Sequence, residues 1–426
     1  MRVLPQDLPS EERPSVPAVP TILHVAQPVD GGVARVVADL VRAQVAAGLR
    51  VVVAAPPGGA LHRDVATAGA EVALWFAGRS PGRALAGEIR RLSRLIRRTG
   101  PDLVHAHSAK AGLAARLAVR GRIPTVHQPH AWSFEAAGGA TGRLALAWER
   151  CAARWSDRVL CVSEAERLRG AAMGVAARWA VIRNGVDLER FHPGCSPAET
   201  DGRDETEGTE GADKRDETGA GVRRRLRAAL SGLGLPVADD APLVVCVGRL
   251  CPQKGQLTLL RAWPGVAAAV PDARLVLVGD GPDRRLLESA APPGVLFAGA
   301  VDNVVPWYRA ADLVVLPSRW EGMALAPLEA MACARPVVVT DVSGARESLP
   351  PGTESGCLVP PDDPDALARA LRGLLTAPQL RVTLGRRALE HVRTTYDVRW
   401  TTAAVLDLYR ELLGLPCPET REQIRR

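Results

Sequence analysis

The stretch EGMALAPLEAMACARP, residues 321–336, sets two glutamates eight positions apart with a proline between them. On one unbroken helix, eight residues turn the chain through about 800°, which leaves the carboxylates roughly 80° apart. Pro327 argues against that arrangement. A residue without a backbone N–H fits best at the first helical position, so the sequence predicts a helix starting there. Glu321 then lies on a loop leaving the apolar run ADLVVLPS, and Glu329 lies in the first helical turn beside unpaired N–H groups. Strand, polar loop and helix start together form a common ligand-binding arrangement. The plainer alternative is that Glu329 only complements the helix dipole and Glu321 is solvated. On either reading, neither carboxylate is expected to support the core.

Other segments carry chemistry of the same kind. In CVGRLCPQKGQLTLLRAW, Arg249 follows a strand-like run and Lys254 precedes a helix start. Two cations beside a helix N-terminus suit a diphosphate, although such cations are also common on solvated surface. PVDGGVARVVADL places Gly31 and Gly32 in a turn between strand and helix, where the backbone can approach a ligand closely or merely turn tightly. Neither this turn nor VGDGPDRR is G-x-G-x-x-G, so a dinucleotide site has little support. TVHQPHAWSFEAAGG holds His127 within a strand-like run and His130 just past its end, candidates for proton handling or hydrogen bonding. Asp363 and Asp365 flank a proline that opens an amphipathic stretch. They read as a helix start rather than a metal pair.

These groups need elements to hold them. From Thr21, short apolar runs (TILHVAQ, RVVVAAP, DLVHAH, IPTVHQ, RVLCVS, WAVIRN) alternate with amphipathic stretches. The alternation restarts after an acidic segment with LVVCVGR, RLVLVGD, GVLFAG, DLVVLPS and RPVVVTD. Repeated βα units in two series predict an α/β protein of two doubly wound, Rossmann-like domains facing across a cleft. The expected layout is a leader over 1–20, a first domain over 21–194, a disordered acidic insertion over 195–222 and a second domain over 223–396. A helix crossing back over 397–414 and a tail over 415–426 complete it.

Composition narrows the class. With 426 residues the chain has room for two cores, and no apolar run is long enough to span a bilayer. The prolines and charges of the first 20 residues do not resemble a signal peptide. Eight cysteines without a C-x-x-C pair fit a reduced cytoplasm, and a zinc site is not expected. Residues 195–220 hold nine acids against three bases, a net of −6, so the rest carries +13 of the chain's +7 total. That basic body suits an anionic ligand or an anionic membrane surface, and no nucleic-acid motif accompanies it. GEIRRLSRLIRRTG sets Ile89, Leu92, Leu95 and Ile96 on one face with five arginines around it. It could lie on anionic lipid or be an outer helix of the sheet.

In order and spacing, these motifs resemble the retaining glycosyltransferases of the two-domain GT-B type, family 4, from about Thr21 to Gly414. The family's glycine turn is similar to DGGVARVV, its strand-end histidine to PHAW, and its SEA and NGVD segments to VSEAE and RNGVDLERF. Its GRL…KG clamp is similar to Gly248, Arg249 and Lys254, and its E-x7-E signature to Glu321 and Glu329. The resemblance implies a hexosyltransferase using a UDP- or GDP-type sugar donor, with no cofactor and no metal. Arg249, Lys254 and the backbone amides of Met323, Ala324 and Leu325 would hold the diphosphate. Glu329 would take the ribose, the backbone near Val301 the base, and Glu321 the donor sugar. His130, rather than His127, would reach across from the first domain, near Gly31 and Gly32. The expected setting is cell-surface glycan (polysaccharide), glycolipid or secondary-metabolite synthesis, with a lipid-linked acceptor and a cytoplasmic place, peripheral on the inner membrane face. Arg183 stands where a proline is common, and MALAPLEA departs from the usual glycine-containing loop, which leaves the donor sugar open. Two rivals share the motifs: a sugar-nucleotide epimerase of the same fold, and a non-catalytic sugar-nucleotide binder.

Overall fold

The computed structural model describes residues 19–194, 227–228 and 241–416. The expected leader up to residue 18, the acidic insertion over 195–222 and the tail from 417 lie outside the described residues. Two all-parallel sheets organise the rest. The first contains β1 (Thr21–Ala26), β2 (Arg50–Ala55), β3 (Glu71–Leu74), β4 (Leu103–His107), β5 (Thr125–Gln128), β6 (Arg158–Cys161) and β7 (Trp179–Val181), in the order β3-β2-β1-β4-β5-β6-β7. The second contains β8 (Leu243–Val247), β9 (Arg274–Val278), β10 (Val295–Gly299), β11 (Leu313–Leu316), β12 (Val337–Thr340) and β13 (Leu358–Val359), in the order β10-β9-β8-β11-β12-β13.

The central strands are buried along nearly their whole length, as a sheet covered on both faces requires. β3 and β13 have no counterpart among the expected strands. β3 is a largely exposed edge that includes Glu71, and β13 is only two residues long, so neither makes an apolar run. In each sheet the strand order reverses beside the first strand, at β1/β4 and β8/β11. Loops past the carboxyl ends of these pairs carry Gly31, Gly32, Arg249 and Glu321.

One expectation needs correction, and two alternatives that the sequence leaves open are decided. The helix expected to begin at Pro327 spans Leu325–Ala332, so Pro327 is its third residue. The third N–H of a helix also lacks an intrahelical partner, and a proline there sacrifices nothing. Glu329 consequently sits in the second turn, not the first. The helix Leu85–Thr99 does not offer its apolar face to lipid: Leu92 and Ile96 are buried in the first-domain core, with Ile89 and Leu95 packed beside them. Its arginines are what remains on the outside. Finally, both cleft glutamates are buried, Glu321 at 8% exposure and Glu329 at 5%, so the solvated alternative fails.

The helix Val398–Leu413 packs against Gly32–Ala46. Val405, Leu408 and Tyr409 join one apolar cluster that runs from Ile22 and Leu40 through the second sheet. Asp363 caps the helix Pro364–Leu375 by accepting from Ala366 N at 2.8 Å, with Pro364 in the first turn.

Beneath the loop that carries His130, Arg116 and Glu149 form a two-point ion pair (2.9 and 3.1 Å), with both side chains almost fully buried. Removing one member of such a pair strands the other charge. Glu149→Ala is expected to lower stability by about 3–5 kcal/mol in urea denaturation. A loss within experimental error would show that Arg116 finds water or another partner.

Candidate active site

Arg249 and Lys254 both lie in the segment that joins β8 to the next long helix. β8 ends at Val247, a 3-10 turn covers Pro252–Lys254, and Gly255 adopts φ +64° before the helix Gln256–Ala269. A Cβ on Gly255 would lie 2.0 Å from the Pro317 carbonyl oxygen, so only glycine lets this turn reach the end of β11. Lys254 is thereby delivered to Glu321, with which it forms an ion pair. Ser318 Oγ donates to the same carboxylate at 2.8 Å. The Lys254 stem passes beside Gly248, where a Cβ would lie 3.8 Å from Lys254 Cγ and Cδ. The Arg249 guanidinium has no ion pair among the described residues, while its backbone oxygen accepts from Gln256 Nε2 at 2.9 Å.

The helix start at Leu325 has no side-chain cap. Ala324, Leu325 and Ala326 supply its first amides, and Met323 lies one residue outside, its carbonyl taken by Asn184 Nδ2 at 2.8 Å. Glu329 receives an ion pair from Arg35 of the first domain and a hydrogen bond from Tyr308 OH at 2.8 Å. Burial, and next the Glu329 charge, push the Tyr308 phenol well above its usual pKa, so it stays a donor. Arg35, Glu329, Leu325, Asp187, Arg190 and Phe191 line a narrow cleft between the domains. Across it, a Cβ on Gly32 would lie 3.8 Å from Leu325 Cδ1, which brings the glycine turn opposite the helix start. Val301 lies past β10, two strands from β8, roughly 10 Å away laterally.

His130 approaches from the first domain at backbone level. A Cβ on Gly322 would stand 2.9 Å from the His130 carbonyl carbon and 2.8 Å from Val162 Cγ2, so the residue after Glu321 must be glycine. First-domain side chains hold that loop: Ser163 Oγ donates to Gly322 O at 2.9 Å, beside the Asn184 bond to Met323 O. Glu347 of the second domain accepts from Ala165 N (2.8 Å) and Arg183 Nε (3.0 Å), which accounts for an arginine at 183. His130 and Ala131 both have positive φ (58° and 145°), a strained pair at the domain contact. His127 lies elsewhere: its ring is buried 3.7 Å from Glu149.

Arg35, Tyr308, Ser163, Asn184 and Glu347 were not named as site residues from sequence, although Ser163 and Asn184 fall within the VSEAE and RNGVDLERF segments. Arg35 had a signal, since it stands three residues after Gly32 and so on the same helix face.

Comparison with known proteins decides the family. Residues 30–190 match the family described as Glycosyltransferase Family 4, and residues 241–377 match Glycosyl transferases group 1. A D-inositol 3-phosphate glycosyltransferase of Catenulispora acidiphila is 32% identical over 336 residues, 72% of this chain and 70% of that one. The chain belongs to glycosyltransferase family 4. An Escherichia coli UDP-Gal:alpha-D-GlcNAc-diphosphoundecaprenol alpha-1,3-galactosyltransferase is 29% identical over 335 residues, 76% of this chain and 78% of that one. Among solved structures, Anabaena HepE in complex with UDP-glucose superposes with a TM-score of 0.73 at 22% identity, covering 92% of this chain and 99% of that one. Sucrose-phosphate synthase from Thermosynechococcus elongatus gives 0.72 at 23%, covering 93% and 99%. These likenesses establish the GT-B fold of this glycosyltransferase.

Burial also sets how the glycosyltransferase responds to acid. Desolvation lowers His24 to about 4 and His130 to about 3, so both are neutral when folded and protonate readily when unfolded. Below pH 6.5 the unfolded chain binds more protons. The stability these groups contribute is therefore complete above pH 6.5 and lost as pH falls toward 4 and then 3. Each histidine contributes roughly 1.4 kcal/mol per pH unit in that window. Urea midpoints at pH 7 and pH 5 are expected to show a net loss at pH 5, reduced by Glu166, which burial raises to about 8 and which therefore favours the folded state as pH falls; equal midpoints would mean that the histidine contribution does not exceed that of Glu166.

Proposed function

We propose that the chain moves a hexose from a UDP- or GDP-type sugar donor to an acceptor hydroxyl with retention of anomeric configuration. The observation that carries this reading is the approach of Gly322 to His130. It joins the Lys254–Glu321 pair of the second domain to a histidine of the first. When the sugar–phosphate bond breaks, its electron pair goes to the diphosphate oxygen. Arg249, Lys254 and the amides of Ala324 and Leu325 stabilise that charge. The acceptor hydroxyl then bonds to the anomeric carbon on the same face and gives its proton to the departing phosphate. No divalent ion is required in this scheme. Glu321, held by Lys254 and Ser318, takes donor-sugar hydroxyls. A carboxylate offers about four acceptor positions, so Glu329 can accept ribose hydroxyls beside Arg35 and Tyr308. The base lies toward Val301.

The acceptor we propose carries phosphate, free or lipid-linked. The two relatives above are named for an inositol phosphate and a diphosphoundecaprenol-linked sugar, and the basic excess of this chain suits such acceptors. Work at the inner membrane face from the cytoplasm goes with that proposal, through the exposed arginines of Leu85–Thr99. No helix among the described residues is long and apolar enough to cross a membrane. Thermal-shift screening of UDP- and GDP-hexoses, followed by acceptor trials, tests the reading. Nucleotide release only with acceptor supports transfer; interconversion of donor sugars without acceptor indicates the epimerase, and binding without any turnover the passive binder.

The two glutamates separate by role. Glu329→Ala is expected to cost about 1.5–3 kcal/mol of nucleoside diphosphate binding. It should also lower the melting temperature, because Tyr308 and Arg35 lose a buried partner; the expectation that neither carboxylate supports the core fails for Glu329. Glu321→Ala should reduce turnover and spare affinity for the free nucleotide. Titration calorimetry beside turnover measures both, and equal losses of nucleotide affinity would assign the two residues one shared task.

A further inference from the structure

Several histidines crowd the first domain beside the site, and the reaction above uses one of them. His24 on β1 is the ladder partner of His105 on β4, and His107 stands two residues on, on the same face. His127 pairs with Ala106 and so points to the opposite face. On the shared face the rings are linked. His24 Nε2 lies 2.8 Å from Gln44 Oε1, His24 Nδ1 2.9 Å from His107 Nε2, and His107 Nδ1 3.2 Å from His130 Nε2.

The proton positions follow from chemistry. An amide oxygen can only accept, so His24 carries its proton on Nε2 and accepts at Nδ1. His107 then donates from Nε2 and accepts at Nδ1, and His130 donates from Nε2. Its Nδ1 is left with a lone pair. The Gln44 amide is oriented by Tyr409 of the crossing helix: Nε2 lies 3.5 Å from the phenol oxygen, which in turn lies 2.5 Å from His105 Nδ1. The phenol accepts weakly from Gln44 and donates to His105. His105 keeps its proton on Nε2, which has no hydrogen-bond partner among the described residues. Burial holds these rings neutral: it lowers His24 to about 4 and takes His105 and His107 well below the usual value.

We propose that Gln44, His24 and His107, anchored on Tyr409, are positioning residues that fix His130 as the Nε2–H tautomer and present its Nδ1 as a hydrogen-bond acceptor. This rests on His130 serving sugar transfer, where an acceptor nitrogen takes a hydroxyl of the substrate. The ring nitrogens of His24, His105 and His107 also lie within 4.8 Å of one another, close enough to suggest a metal. The geometry favours protons. Tetrahedral zinc with bonds of about 2.0–2.1 Å spaces its ligand nitrogens by roughly 3.3 Å, whereas His24 Nδ1 and His107 Nε2 are 2.9 Å apart. The group also includes no carboxylate to balance a buried dication.

Nitrogen-15 NMR of the full chain with labelled histidine reads each ring's tautomer directly. The expected result is Nε2–H for His24, His107 and His130 from pH 6 to 8. His107→Phe should scramble the His130 tautomer and lower kcat on the order of 10–100-fold, with nucleoside diphosphate affinity little changed. His107→Asn keeps an amide oxygen near the former Nδ1 and should restore kcat to within about threefold. A His130 proton on Nδ1, a tautomer unmoved by His107→Phe, or one equivalent of bound zinc by elemental analysis would each overturn the proposal. Wild-type protein that shows these tautomers but transfers no sugar would instead refute the transferase reading.

Discussion

Two polypeptide segments from different domains meet here with no side chain between them. Gly322 lies against the His130 backbone so closely that a single methyl group would force them apart. Everything else at the cleft serves or exploits that approach. Ser163 and Asn184 hold the carbonyls of Gly322 and Met323, and Glu347 bonds the amide of Ala165 and the Arg183 guanidinium from the other side. Most of these contacts fall on backbone atoms of the facing segments, which fixes how the loop carrying Glu321 lies against His130. Catalytic geometry tolerates errors of only a fraction of an ångström, which is what backbone contact can supply.

Charge is managed by pairing before any ligand is considered. Lys254, one of three lysines in the chain, is paired with Glu321, and Arg35 with Glu329, all close to the domain interface. An unpaired charge at such depth costs several kcal/mol, so each partner makes the other tolerable. The pairs also ready the site for exchange. A diphosphate can share Lys254 with Glu321, and ribose hydroxyls can add to a carboxylate whose direction Tyr308 has already set. The Arg35–Glu329 pair spans the cleft and, on the proposed role of Glu329, would link nucleotide binding to the placement of the two domains.

Much of this could be read in the sequence because parallel strands covered on both faces are written as unbroken apolar runs. β1, β2, β4, β8, β9, β11 and β12 are of that kind. β3 and β13 are not, since an exposed edge and a two-residue strand need no such run. The helix start at Leu325 was displaced from Pro327 because a proline is equally free of penalty at the third position. His24 and His107 were hidden inside strand runs. Only the ladder register shows that they share a face and lead to His130. Arg35 and Tyr308 look like ordinary helix residues until the two domains are brought together.

The central claim is that one site is assembled from two domains, with the nucleotide captured by the second and His130 of the first required for turnover. His130→Ala tests it most directly, with UDP and GDP titrated by calorimetry beside the rate of sugar transfer. The expected result is nucleotide affinity within a few-fold of wild type and turnover reduced by about 100-fold or more. Nucleotide affinity falling in step with turnover would contradict the division of labour.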